Sequence, residues 1–132
     1  MALEIRHLEP NKSNMLKFVH YPIDILYKNH PTYIPTLVLD EVNTLLPSKN
    51  PAFDFCESIY FMAYRDGKPV GRIAGIINHH ANKKWNKRNV RFSLIEFIDD
   101  LEVSRALLGA VAHWGRDHGM DRIQGPMGIT DF

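Results

Sequence analysis

The chain has 132 residues, 45% hydrophobic and 23% charged, with 16 basic against 15 acidic residues. That length suits one domain with a real core, and the near balance of charge gives no global attraction for nucleic acid or an anionic membrane. The single cysteine, Cys56, excludes an internal disulfide and suits a reducing cytoplasm, and no apolar run approaches the ~20 residues of a membrane span. One cytoplasmic domain over residues 1–132 is the expectation.

Residues 2–8, ALEIRHL, alternate in type and predict a first strand. From Asn11 the pattern turns helical, with Met15, Phe18 and Val19 on one stripe and Asn11 or Ser13 as the cap. Pro22 interrupts that helix, and DILYK predicts a second piece running to Asn29. A long connection punctuated by Pro31, Pro35, Pro47 and Pro51 follows, with one helical stretch around residues 36–46.

SIYFMAYR and KPVGRIAGIIN are β-rich runs joined by Asp66-Gly67, a strong hairpin pair. Gly71 and Gly75 in the second run predict a bulge or a close backbone approach. HHANKKWNKRN then reads as a charged loop, and NVRFSLIEFI as a third strand that completes an antiparallel meander. Beyond Asp100, Val103, Leu107, Ala110, Val111 and Trp114 recur at helical spacing, and Gly119 stands where a left-handed cap belongs. MDRIQG predicts a short last strand, giving an α+β domain with a mixed sheet.

The phrases LYKNHPTYIPTL, NPAF, FMAYRDGKPVGRIAGIIN, IEFIDDLEVSRALL and the closing W-x-R-x-x-G-M-D-x-I-x-G-P are spread over nearly the whole chain. In these the sequence resembles a family of bacterial proteins of the GNAT (acyl-CoA N-acyltransferase) superfamily. The resemblance implies a mixed, mostly antiparallel sheet flanked by helices, incomplete at its C-terminus because such proteins continue past the closing Gly-Pro. It also implies transfer of an acetyl or other acyl group from acyl-CoA to a small-molecule or peptide amine. Glu96 would then be the general base, and Phe97, Ile98, Val103 and Ser104 would contact acetyl-CoA or another acyl-CoA.

GNAT enzymes bind the coenzyme diphosphate at the start of the helix after the fourth strand, through an Arg/Gln-x-x-Gly-x-Gly/Ala loop. Here Glu102 and Ser104 stand where the two glycines would lie. Asp99-x-x-Glu102 instead matches a capping box, with Asp99 as N-cap. A diphosphate there would meet carboxylates at a cost on the order of 1–4 kcal/mol before screening. The helix is therefore expected to cap itself.

Other candidates carry plainer readings. Glu96 also fits a cross-strand pair with Arg72 or Arg91. Lys83, Lys84, Trp85, Lys87 and Arg88 form the one dense basic cluster, which suits a solvated loop better than an RNA or polyphosphate site. His79 and His80 are neighbours facing opposite ways, so no metal site is expected. Cys56 reads as a buried thiol, Trp114 as core and Trp85 as exposed. The rival to the enzyme is a non-catalytic module, a homodimer that pairs through the open edge of the incomplete sheet.

Overall fold

The computed structural model describes residues 3–22 and 38–126. A five-stranded sheet runs in the order β1 (Leu3–Leu8), β2 (Cys56–Arg65), β3 (Lys68–Asn78), β4 (Asn89–Phe97) and β5 (Arg122–Gln124). The first four strands are antiparallel neighbours, β5 lies parallel to β4, and the sheet is not closed. The meander is as the alternation predicts. Asp66 and Gly67 turn β2 into β3 with φ of 56° and 76°, the two positive angles that a two-residue hairpin of matching twist requires.

Helices cover both faces. α1 (Lys12–His20) and α2 (Val38–Leu45) pack Met15, Phe18, Val42 and Leu45 against Tyr60, Met62 and Ala74. α4 (Leu101–Asp117) lays Val103, Leu107 and Val111 on the opposite face, against Ala63, Ile73, Ile77 and Val90. The strand alternation thus feeds two cores, which is why β3 is buried almost end to end. Gly71 and Gly75 mark a close approach. A Cβ on Gly71 would sit 2.9 Å from Leu107 Cδ1, and one on Gly75 would sit 3.1 Å from Val111 Cγ1. At the far end of α4, Gly119 has φ of 80°, as a left-handed terminator should.

Asn11 caps α1, its side chain accepting from Asn14 N at 2.9 Å. The expected loop after β3 is in fact a short helix, α3 (His79–Trp85). Asn78 caps its start by accepting from Ala81 N, and Asn86, with φ of 53°, closes its end. Charge density suggested a loop, but the paired asparagines supply both caps. The predicted DILYK helix lies outside the described residues.

Candidate functional site

Besides a register shift between β2 and β3 at Ala63 and Tyr64, next to Gly71, the sheet is broken in β4. Arg72 pairs with Glu96 and Ala74 with Ser93, so β4 carries one more residue than β3 across this step. Leu94 absorbs the mismatch with φ of 53°, a conformation unfavourable for a branched side chain. The bulge is held by Arg72, whose side chain is 6% exposed. Its Nε donates to Leu94 O at 3.0 Å and its Nη1 to Phe18 O at 2.8 Å, tying β4 to the last turns of α1. The guanidinium also lies 4.9 Å from the centre of the Phe18 ring.

On its other side, β4 pairs with β5 only from Asn89 to Arg91. At the divergence, Gly125 packs so closely that a Cβ would lie 2.5 Å from Phe92 O. From Phe92 to Phe97 no strand of the described residues lies along the outer edge of β4, while Ile98 N still bonds Val70 O on the inner side. The result is a stretch of backbone whose outer edge is unpaired among the described residues, beginning at the break.

Side chains at the end of this stretch separate by face. Glu96 is half-buried and stands opposite Arg72, on the side of α1 and α2. Phe97, 37% exposed, lies on the side of α4, its Cβ only 3.2 Å from where a Gly71 Cβ would be. Ile98 packs partly into the α4 core, and Leu101 at the first turn of α4 is largely exposed. A carboxylate and an apolar lip therefore meet at one strand end from opposite faces.

The start of α4 is self-capped, but one residue later than the capping box suggested. Asp100 is the N-cap: its Oδ1 accepts from Glu102 N at 2.9 Å, and its carbonyl accepts from Val103 N and Ser104 N. Glu102 does not reach back. Arg65, from the end of β2, bonds Asp100 Oδ2 at 2.6 Å and also pairs with Glu102. That guanidinium, the largest influence, holds the Asp100 carboxyl below its usual range, and the helix N–H groups add to the effect.

Donors that would cradle a diphosphate are therefore engaged by Asp100, Glu102 N by its carboxylate and Val103 N and Ser104 N by its carbonyl, and no glycine lies between Leu101 and Ser104 to admit a phosphate closely. These residues do not fit that group. Val103 has no exposed side-chain surface and supports the core, so only its backbone lies at the helix start. Ser104 is half-buried and its hydroxyl donates to Leu101 O at 3.1 Å.

The remaining candidates disperse. His79 bonds Glu57 at 2.7 Å, while His80 stacks on Phe55 with centres 4.2 Å apart. Burial pushes the Cys56 thiol up to about 11, against a smaller opposing pull from Arg91. Trp114 packs against the α4 core and Trp85 is exposed. No helix of the described residues is long and apolar enough to cross a membrane. Arg72 and Arg65 were missed as organisers of the site. A charge inside the apolar run PVGRIAG was the available signal for Arg72; Arg65 gave none.

No family model matches the sequence. The chain is 33% identical over 120 residues to protein YghO of Escherichia coli K12, a match covering 91% of this chain and 30% of that protein. It is 29% identical over 119 residues to the bacterial ceramide synthase of Caulobacter vibrioides, covering 89% of this chain and 31% of that protein. The chain thus spans less than a third of the length of either relative. Among solved structures, the tandem GNAT protein from the clavulanic acid biosynthesis pathway superposes with a TM-score of 0.64 at 17% identity, over 90% of this chain and 34% of that one. The chain has the GNAT fold. AAC(6')-Iy in complex with the bisubstrate analogue CoA-S-monomethyl-acetylneamine shares the fold with a TM-score of 0.60 at 16% identity, over 97% of this chain and 81% of that one.

Proposed function

We propose that this GNAT-fold chain supplies the donor side of an N-acyltransferase site, at which an acyl group passes from a thioester such as acetyl-CoA to an amine. The observation that carries this is the outer edge of β4 from Phe92 to Phe97, along which no strand of the described residues runs, beginning where the bulge parts β4 from β5. An extended thioester arm bearing amides can hydrogen-bond along such an edge as an added strand would. Phe97 and Ile98 flank its path and Ser104 lies beyond. Glu96, on the opposite face, takes a proton from the incoming ammonium, directly or through water. The freed amine nitrogen attacks the thioester carbonyl, the C–S bond breaks, and the nitrogen's surplus proton passes to the departing thiolate.

Two comparisons support this reading. One neighbour was solved with an analogue that joins coenzyme A to an amine acceptor. One relative is a ceramide synthase, and a ceramide is an amide of a long-chain amino alcohol. Because the start of α4 does not fit a diphosphate, recognition falls on the acyl and pantetheine portions of the donor.

Calorimetric titration tests this with two ligands, acetyl-CoA and acetyl-pantetheine. Both should saturate with affinities within about threefold of each other, and Phe97→Asp should weaken both by about tenfold, the equivalent of ~1.4 kcal/mol. No heat from folded protein with either ligand refutes the reading. The assembly reading rests on the other edge of the break: β5 is three residues long and its Ile123 is exposed. Sedimentation at tens of micromolar distinguishes a pair from a monomer.

A further inference from the structure

α3 does more than connect two strands. Between it and the paired ends of β4 and β5 lies a cleft of about 370 Å³, with Lys84, Trp85, Lys87, Asn89, Arg91 and Gln124 among its lining residues. No carboxylate of the described residues lines it. Trp85 and Lys87 are shared with a second cleft, of about 450 Å³, to which Arg88 and Arg122 belong. Asp121 is the one carboxylate there among the described residues, and it is engaged by Arg88 at 2.8 Å. In a chain whose charges nearly cancel, five cations gather on one side of one short helix.

The walls are braced. Asn82 clamps α3 to β4 with two bonds, its Nδ2 donating to Asn89 O at 3.0 Å and its Oδ1 accepting from Asn89 N at 3.3 Å. Asn89 Nδ2 donates to Gln124 Oε1 at 3.2 Å, so the β5 wall is tied to the same strand. Arg91 is only 5% exposed. Asn89 Oδ1 is buried behind the lining with no hydrogen-bond partner among the described residues. At the lip, Trp85 is 61% exposed with Lys84 Nζ 5.2 Å from its ring centre. The large flat face stands beside cations.

We propose that this cleft is a binding site for an organic phosphate of nucleotide size. Lys84 and Lys87 face the phosphate, the base stacks on Trp85, and the Arg91 guanidinium adds positive charge to the wall behind them. The volume falls in the range of small-molecule sites, ~300–1,000 Å³. An isolated exposed tryptophan needs no explanation. An exposed tryptophan over a braced, acid-free cleft does. This site lies beside the sheet break but uses none of the residues assigned to acyl transfer, and it stands without that reading.

The test is calorimetry and tryptophan fluorescence with AMP, adenosine, inorganic phosphate and a short single-stranded oligonucleotide. AMP should saturate, with adenosine and inorganic phosphate each bound at least about tenfold more weakly, because each lacks one half of the contacts. Lys84→Gln and Lys87→Gln should each weaken AMP by about tenfold, the loss expected for one charge-assisted bond. Both lysines are exposed, so folding is not at stake. Trp85→Phe should keep the binding heat and abolish the fluorescence response, since Trp114 lies elsewhere in the fold. Absence of saturable AMP binding, or equal affinity for AMP and adenosine, overturns the proposal. So does inorganic phosphate binding as tightly as AMP. Much tighter binding of the oligonucleotide, with a salt dependence that reports all five cations, would assign the surface to a nucleic-acid strand and overturn it as well.

Discussion

Replacing Arg72 with Met would remove the support beneath the bulge in β4 while keeping most of the side chain's apolar volume. Two backbone carbonyls, that of Leu94 in part-buried and that of Phe18 in buried surroundings, would lose a charged donor. Hydrogen bonds to charged groups contribute ~1.5–3 kcal/mol each. The pair therefore represents ~3–6 kcal/mol gross. Relief from burying a guanidinium returns part of that, since desolvating one ion costs several kcal/mol. A net loss of ~2–4 kcal/mol remains, a large share of the ~5–15 kcal/mol that holds a domain together. Urea unfolding is the assay. With an m-value of about 2 kcal/mol/M, the midpoint should fall by about 1–2 M with the slope unchanged. Arg72→Lys should recover only part of this, because one ammonium replaces a fork whose two nitrogens serve separate elements. Amide exchange around Leu94 should rise before global unfolding does. A midpoint unchanged within about 0.3 M would refute the reasoning, because it would mean that desolvation cancels both bonds.

Two further outcomes follow from titrating groups. Asp100→Ala should lower the melting temperature by roughly 2–6 °C at neutral pH, through loss of the cap and of the Arg65 pair. Because the Asp100 carboxyl is held below its ordinary value of 3.8, its contribution is complete above that pH and is lost as pH falls through the lower folded value. The gap between wild type and variant should narrow as pH falls below 3.8, and a gap that does not narrow in acid would contradict a charged cap. Cys56, with its thiol pushed up to about 11, should react with iodoacetamide at pH 8 about a hundredfold more slowly in the native chain than in urea. The raised value also means that its neutral form favours the fold below pH 9 and that this support fades as pH rises toward 11. Equal rates in the two states would show that the thiol is not buried.

The resemblance to GNAT proteins and most of the elements were legible along the chain, because local patterns encode them. Asp66-Gly67 demands a tight hairpin wherever it falls between alternating strands, and the stripe from Val103 to Val111 can bury itself only as a helix. The site was legible only as a location. Its candidate carboxylate and apolar lip lie at residues 96–98 and alternate as any strand neighbours do, yet which face each takes follows from one extra residue in β4 that no glycine announces. Asp100 rather than Asp99 caps α4 in concert with Arg65, 35 residues away, and Arg72 earns its burial from a carbonyl 54 residues away. Such partners meet only after the sheet has formed. Periodicity along the chain thus determined the strands, the helices and the faces they bury. Long-range pairing alone decided where the sheet breaks, which donors at the helix start are already engaged, and that a run of lysines and asparagines would wall a cleft.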